Sequence, residues 1–326
     1  AAKNKKITWH PDGSWPFQLL DDENVRVNVK AWPTNNPPDY MVCDLVATNM
    51  VRYYVSAAAV PHGVTNDIYK TAKLLMRRVH ATGVDWRIGR GITEITSYSS
   101  DMNLYTKPHR VVLSKDFYIG VYETTQRQYY RFSGRSNPSS FSVANGYADG
   151  EMRPVENIGL DIYDTVYGKL PALKALTGID FVLPSEAQWE FACRAGTSTA
   201  FYNGSDDLED ADPIAWHKDN SAVNGIQQTH VVGTKEPNAF GLYDMIGNVW
   251  ETCRDLYQDD PFVDDQVDPE STSGSTHVRK GGSWFATRNQ WCNTSGRFSS
   301  TNPSSGWWGG NNVIGFRLSC EAIAVK

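Results

Sequence analysis

The groups in this 326-residue chain that could do chemistry are five thiols, seven imidazoles and one carboxylate pair set around a glycine turn. Asp244-Met245-Ile246-Gly247-Asn248-Val249-Trp250-Glu251 holds the carboxylates seven positions apart, in what reads as an irregular turn entering a strand. Calcium takes about six to eight oxygens, backbone carbonyls among them. Asp244 and Glu251 could supply side-chain oxygens. Gly247 and Val249 could supply carbonyls, because alternate residues of an extended stretch face the same way. The competing reading is a turn capped by Asp244, with Glu251 paired to an arginine. The spacing is not that of an EF-hand loop.

The remaining candidates point away from catalysis. Cys43, Cys193, Cys253, Cys292 and Cys320 are odd in number and no two stand at CxxC spacing, which argues against a zinc site and a disulfide scaffold. Bridging of Cys292 to Cys253 or Cys320 stays open. The ordinary state of such a thiol is lone and buried. His10, His62, His80, His109, His217, His230 and His277 form no HxH or HExxH pattern, so a hydrolytic zinc centre is not expected. His217 and His230 read as loop pins. Ser283, in Gly281-Gly282-Ser283-Trp284, has no evident acid–base partner and no nucleophile-elbow context. The paired glycines read as a turn. No GxGxxG or GxxxxGK cradle for a nucleotide is present.

One stretch has the composition of a recognition surface. Residues 285–312 hold 17 Ser, Thr, Asn or Gly among 28 positions, with five aromatics: Phe285, Trp291, Phe298, Trp307 and Trp308. Arg288 and Arg297 are its only charges. It lacks the periodic apolar runs of a core segment. Rigid rings give contact area at low entropy cost, and small polar neighbours give hydrogen bonds. On this reading Trp291, Trp307 and Trp308 share one exposed patch. The alternative is that the rings pin the loop to the domain.

Several elements must hold these groups. Asn24 to Val29 alternates with period two, and Tyr40 to Val55 reads as one or two more strands. Leu74 to Ile88 reads as strand broken by a turn at Gly83. Val111 to Leu113 and Phe117 to Tyr122 read as a strand pair around Ser114-Lys115-Asp116. A short helix capped at Thr124 or Thr125 runs to Phe132. A helical turn from Pro171 is stopped by Gly178. The clearest helix follows Pro184, where Ser185 and Gln188 form a capping box. Residues 196–240 and the acidic tract Asp259 to Glu270 read as loop.

Composition bounds the rest. A length over about 150 residues allows two domains or one large one. Net charge is −6, from 37 acidic against 31 Lys and Arg residues, with no basic block, so tracking along a nucleic-acid backbone is not expected. No apolar run approaches about 18 residues, so no transmembrane helix is expected. The chain opens Ala1-Ala2-Lys3 without Met, which fits a mature form whose leader is invisible here.

Six segments together resemble the formylglycine-generating (sulfatase-modifying) domain family. They are Phe117 to Thr125, Leu183 to Arg194, Pro237 to Asp244, Gly247 to Glu251, Arg279 to Trp284, and Gly315 to Leu318. The likeness runs from Leu74 to Cys320, some three quarters of the chain. It implies an α+β, C-type-lectin-like fold over 74–326, with 1–73 as a β-rich N-terminal extension. It also implies structural calcium on Asp244, the Gly247 and Val249 carbonyls, and Glu251, and a second calcium site in the loop Trp216 to Gly233 whose ligands it does not fix. Enzymatic members of the family hold copper with two cysteines five residues apart. The corresponding positions here are Ala286 and Trp291, and neither binds copper. No histidine cluster supports the iron-dependent branch of the family.

Within that family the C-terminal block resembles the variable proteins of diversity-generating retroelements. Those carry Gly-Gly-Ser-Trp, a hypervariable stretch, then Ile-Gly-Phe-Arg. Here that is Gly281 to Trp284, 285–312, and Ile314 to Arg317. The likeness implies a non-catalytic protein that binds an unknown ligand, expected to be a protein. The candidate contacts are Phe285, Ala286, Thr287, Asn289, Gln290, Trp291, Thr294, Phe298, Trp307, Trp308 and Gly309. Arg288, Cys292 and Arg297 read as scaffold. Calcium is expected as a structural ion and copper is not. A monomer is favoured, in an extracellular, cell-surface or periplasmic setting that suits a lipid anchor upstream of residue 1. A copper oxidase and a purely structural scaffold are the alternatives.

Overall fold

The computed structural model describes residues 38–90, 107–158, 166–288, 291–299 and 311–322. The strand expected at Asn24 to Val29 lies outside these residues. The largest sheet has five strands: β1 (Tyr40–Asp44), β2 (Val51–Tyr54), β3 (Lys73–Val79), β6 (Phe117–Gly120) and β14 (Ser319–Glu321), in the order β14-β6-β3-β1-β2. Every pairing in it is antiparallel, with Met41 opposite Met76 and Met76 opposite Gly120.

Both faces of this sheet are covered, and β1 shows why. Its side chains alternate across the sheet. Met41 and Cys43 join the main core with Leu74 and Met76. Tyr40 and Val42 join a smaller core with Leu75, Val121 and Tyr122. So β1 and β2, taken from the expected extension, sit in one sheet with β3, β6 and β14 of the lectin-like region. The segment from residue 38 completes that sheet rather than forming a separate layer.

A second sheet, in the order β12-β11-β9-β13, carries the candidate site. It comprises β9 (Trp250–Leu256), β11 (His277–Lys280), β12 (Arg297–Phe298) and β13 (Ile314–Gly315). The β13–β9 pairing is parallel, with Ile314 opposite Trp250. A smaller sheet joins β4 (Trp86–Ile88), β5 (His109–Val112) and β10 (Gln266–Val267), and β7 (Ala222–Val223) pairs with β8 (Ile226–Gln227).

One expected pairing is corrected. β5 and β6 are both strands, but they lie in different sheets. Between them, the Asp116 carboxylate accepts the Ala81 and Thr82 amides at 3.0 Å each and pairs with Arg78 at 2.6 Å. That bonds the connection to the end of β3 and sends β6 into the main sheet instead of back along β5.

The helices follow their capping signals. They are α1 (Ile68–Thr71), α2 (Gln126–Ser133), α3 (Leu170–Thr177) and α4 (Glu186–Arg194). Thr125 with Gln128, and Ser185 with Gln188, form reciprocal capping boxes at α2 and α4. Gly178, at φ +76°, ends α3 in the left-handed region.

Candidate functional site

The turn between Met245 and Val249 is held by backbone bonds that only small residues permit. Gly247 has φ +84°, and a Cβ there would lie 2.3 Å from the Trp216 carbonyl oxygen. Its amide donates to the Gly281 carbonyl at 2.8 Å, and the Trp284 amide donates to the Asn248 carbonyl at 2.8 Å. Gly282 sits at φ +81°, where a Cβ would meet Cys292 Sγ at 2.6 Å. The Gly281 to Trp284 segment is therefore clamped on one side to the 247–248 turn and on the other to Cys292.

Asn248 joins three segments. Its Nδ2 donates to Glu123 Oε2 at 2.7 Å and to the His230 carbonyl at 3.2 Å, while its Oδ1 accepts the His230 amide at 2.9 Å. Glu123 Oε1 accepts the Val249 amide at 3.0 Å. Sequence reasoning did not single out Glu123 or the side chain of Asn248. The signal available was Glu123 beside the Thr124-Thr125 cap, in a segment already noted for its family likeness.

Arg317 is the cation at the centre of this frame. It is buried and pairs with both Glu251 oxygens at 2.7–3.1 Å. It also donates to the carbonyls of Gly120, Val121 and Tyr243 at 2.7–3.1 Å. Trp189 Nε1 donates to Glu251 Oε2 at 2.7 Å. Asp244 Oδ2 accepts the Gly233 amide at 2.6 Å, and its Oδ1 has no hydrogen-bond partner. Burial pushes the Asp244 carboxyl up to about 6. Burial, with the neighbouring Asp244 and Glu251 charges, raises Glu123 well above the carboxylate range.

These residues do not fit the expected calcium set of Asp244, Gly247, Val249 and Glu251 as they stand. The orphaned Asp244 oxygen would suit a cation. Each Glu251 oxygen, however, already accepts two donors from Arg317 and Trp189. Among the described residues no group of three or more His, Cys, Asp or Glu side chains could hold a metal ion. The competing sequence reading, Glu251 paired with an arginine, is what the fold builds. Treatment with EDTA is expected to move the thermal midpoint by less than about 2 °C, under 1 kcal/mol for a domain of this size. A calcium-reversible drop of several degrees would show that the fold carries a structural calcium ion.

A second buried charge cluster fixes the strands beneath the 285–312 stretch. Arg297 is bidentate to Glu186 at 2.7–2.8 Å. Lys280 pairs with Glu190 at 2.8 Å and donates to the Ser295 carbonyl at 3.1 Å. Arg297 and Cys292 are fully buried, as their scaffold reading requires. Arg288 is half-buried between Asp212 and Asp219, at 3.5 and 3.6 Å.

The candidate contact residues divide. Phe285 and Thr287 are half-buried, and the Lys218 ammonium lies 5.4 Å from the Phe285 ring. Phe298 is half-buried and stacks on Trp250 at 5.4 Å. Asn289, Gln290, Trp307, Trp308 and Gly309 lie outside the described residues. Three others are not on the surface. Trp291 is 5% exposed, edge-on to Trp250 at 5.9 Å and to Phe298 at 5.4 Å. Ala286 is 9% exposed, and its carbonyl accepts the Lys218 amide. Thr294 is fully buried, bonded to the Ala200 and Thr199 carbonyls at 2.9 and 3.0 Å. The exposed patch expected of Trp291 is thus corrected: β12 returns beside β11 and folds that ring under Phe298.

The two positions where copper thiolates would stand hold Ala286 and Trp291, packed inward. Cys292, one position beyond the second of them, is fully buried. Burial pushes its thiol up to about 12, and its sulfur faces the Ser283 and Ala286 carbonyls at 3.8 Å each.

Glu156 supports the far end of the stretch. Its Oε1 accepts the Phe141 amide at 2.9 Å, and the Phe141 ring meets Trp284 edge-on at 5.2 Å. The neighbouring Asn157 amide donates to the Asn311 carbonyl at 3.1 Å. Glu156 Oε2 is buried without a partner, and burial pushes the carboxyl up to about 8. An acid raised in the folded state holds a proton that the unfolded chain, near about 4.3, has released. Its contribution is complete below about pH 4 and is lost as pH rises through about 8. Urea midpoints are therefore expected to fall between pH 5 and pH 8, and the fall to be smaller in Glu156→Gln. An equal fall in the variant would place the proton elsewhere.

Comparison with known proteins agrees with this architecture. The sulfatase-modifying factor enzyme 1-like domain model matches residues 85–322. Mouse formylglycine-generating enzyme is 33% identical over 114 residues, 32% of this chain and 30% of that protein. The chain thus aligns with under a third of that relative's length. Treponema denticola variable protein 1 superposes with a TM-score of 0.59 at 27% identity, over 77% of this chain and 96% of that one. PvdO from Pseudomonas aeruginosa gives 0.58 at 22% identity over 76% and 95%, a likeness of fold.

Proposed function

Because the chain belongs to the sulfatase-modifying factor enzyme 1-like domain family, we propose that it uses that family's frame to display a ligand-binding surface and performs no cysteine oxidation. The reading rests on one observation above all. The positions that would carry the metal thiolates are Ala286 and Trp291, both packed into the frame. Likeness to Treponema denticola variable protein 1 across nearly that whole chain supports the same class, the variable proteins of diversity-generating retroelements.

The frame suits that role mechanically. Gly281 to Trp284 is clamped to the 247–248 turn, and Ile314 to Arg317 is fixed by β13 pairing and the Arg317 cluster. Residues between them start and finish at fixed points, so side chains can change there without moving the anchors. We assign the ligand-facing role to Phe285, Thr287, Phe298, Asn289, Gln290, Trp307, Trp308 and Gly309. A fixed flank borders them. The Lys218 amide bonds Ala286, Ser221 Oγ bonds the Trp284 carbonyl, and His230 bonds Ser221 and stacks on Trp216 at 3.7 Å.

The ligand is a protein recognised by aromatic anchors with polar neighbours, and the chain acts as a monomer outside the cytoplasm, on the cell surface or in the periplasm. Among the described residues no helix is long and apolar enough to cross a membrane. A display library diversified at Phe285, Thr287, Asn289, Gln290, Trp307, Trp308 and Gly309 tests the reading. Most members should stay folded, and selection should yield specific binders to protein targets. Widespread unfolding of the library would favour a structural scaffold. Copper-dependent oxidation of a substrate cysteine by the parent chain would restore the oxidase.

A further inference from the structure

Asparagine followed by glycine can lose its side-chain amide, because a glycine nitrogen has no side chain beside it to block its approach to the preceding Cγ. The chain holds three such pairs: Asn145-Gly146, Asn203-Gly204 and Asn224-Gly225. All three asparagines are exposed. Hydrogen bonding separates them. Asn145 Nδ2 donates to the Ser140 carbonyl at 2.8 Å, and the Gly146 amide donates to the Val143 carbonyl at 3.1 Å. Asn203 Nδ2 donates to the Asp210 carbonyl at 2.8 Å, and the Gly204 amide donates to the Phe201 carbonyl at 3.1 Å. In both pairs the leaving amide and the attacking nitrogen are held apart by their own partners. Among the described residues, neither the Asn224 side chain nor the Gly225 amide has a hydrogen-bond partner.

The element that carries Asn224 is also easy to open. Asn224 and Gly225, at φ +51° and +80°, are the two-residue loop between β7 and β8, the positive-φ pair that a tight hairpin requires. The hairpin has two residue pairs, Ala222 with Gln227 and Val223 with Ile226. Val223 and Ile226 are 43% and 59% exposed, so little apolar burial keeps the tip closed. An isolated two-stranded hairpin is marginal in water. Its base alone is pinned, by Gln227 Nε2 to the Lys218 carbonyl at 2.6 Å and by Ser221 Oγ to the Trp284 carbonyl at 2.8 Å. Opening of the tip frees the Gly225 nitrogen to turn towards the Asn224 side chain.

We propose that Asn224 is a site of spontaneous modification, converting with time to aspartate and isoaspartate. The Gly225 nitrogen gives its proton to hydroxide and attacks Asn224 Cγ. The new N–Cγ bond forms, the Cγ–Nδ2 bond breaks, and the amide nitrogen leaves as ammonia with a proton from water. Water then opens the resulting imide ring. Cleavage between the nitrogen and Cγ leaves aspartate. Cleavage between the nitrogen and the main-chain carbonyl leaves isoaspartate, whose backbone runs through Cβ. Overall a water is consumed and an ammonia released, with nothing oxidised or reduced. Either product adds a negative charge at the tip. Isoaspartate also lengthens a loop whose two residues fix the Val223–Ile226 register. The Ser221 bond to Trp284 places the change on the flank of 285–312, but the site does not depend on the ligand-facing reading.

The test ages the full chain at mildly alkaline pH, once folded and once in urea. Peptide mass spectrometry follows conversion at Asn145, Asn203 and Asn224, and isoaspartyl methyltransferase labelling identifies the isoaspartate. Dividing each folded rate by the rate of the same site in urea removes the effect of neighbouring residues. That ratio is expected to be at least tenfold higher at Asn224 than at the other two. Asn224→Gln should remove most of the isoaspartate from the folded chain at an unchanged melting temperature. A ratio at Asn145 or Asn203 equal to that at Asn224, or an Asn224 that converts in urea and stays intact in the folded chain, would overturn the assignment. Neither result bears on ligand binding by 285–312, so the two readings stand or fall separately.

Discussion

Arg317→Leu is expected to lose about 3–5 kcal/mol of folding stability, the cost of leaving a buried partner charge unpaired. At roughly 2–4 °C per kcal/mol for a domain of this size, the thermal midpoint should fall by about 6–20 °C. The change strands Glu251 and removes a donor from each of three carbonyls, those of Gly120, Val121 and Tyr243. It also removes the guanidinium that Glu123 and Asp244 face. Arg317→Lys keeps the charge but loses the planar fork, so an intermediate loss is expected. Urea denaturation of the three proteins measures this. A loss below about 1 kcal/mol for the leucine variant, the range of an exposed pair, would show that the cluster is held together by something else.

Trp291→Ala should behave as a core mutation and not as the loss of a binding anchor. Removing a buried aromatic typically costs about 3–5 kcal/mol. Here Trp250 and Phe298 would both face the resulting cavity. Thr287→Ala, at a half-buried position of the same stretch, should stay within about 0.5 kcal/mol of the parent. Midpoints of the two variants, measured side by side, separate scaffold from surface. A Trp291→Ala protein as stable as the parent would return that ring to the ligand-facing set.

Local rules were readable from the residues. The capping box at Ser185 and Gln188, the cap at Thr125 and the stop at Gly178 are short-range patterns, and each appears where its chemistry places it. Pairings between distant segments were not. Phe117 to Tyr122 looks like the partner of Val111 to Leu113 because a polar tripeptide separates them. The deciding bonds run from Asp116 back to Arg78, Ala81 and Thr82, and nothing local announces them. The same limit applies to the candidate site. Composition marked 285–312 as aromatic and small-polar. It could not tell that Trp291 turns in under Phe298 while Phe285 stays half-buried, because both sit among the same neighbours. Glu251 offered two readings, and only the fold brings Arg317, 66 residues away, against it.

The order of strands has a bearing on how such a protein is made. β14, the final strand, bonds to β6 at one margin of the main sheet, and the whole 285–312 stretch is synthesised before it. Until β14 arrives, β6 with its apolar Phe117, Tyr118 and Ile119 is left as an open edge, the kind of surface that recruits other chains into aggregates. A change upstream that misplaced β13 would also keep β14, four residues further on, from docking. A substitution that prevented this closure would leave β6 exposed and the chain prone to aggregation, wherever in the sequence the substitution lay.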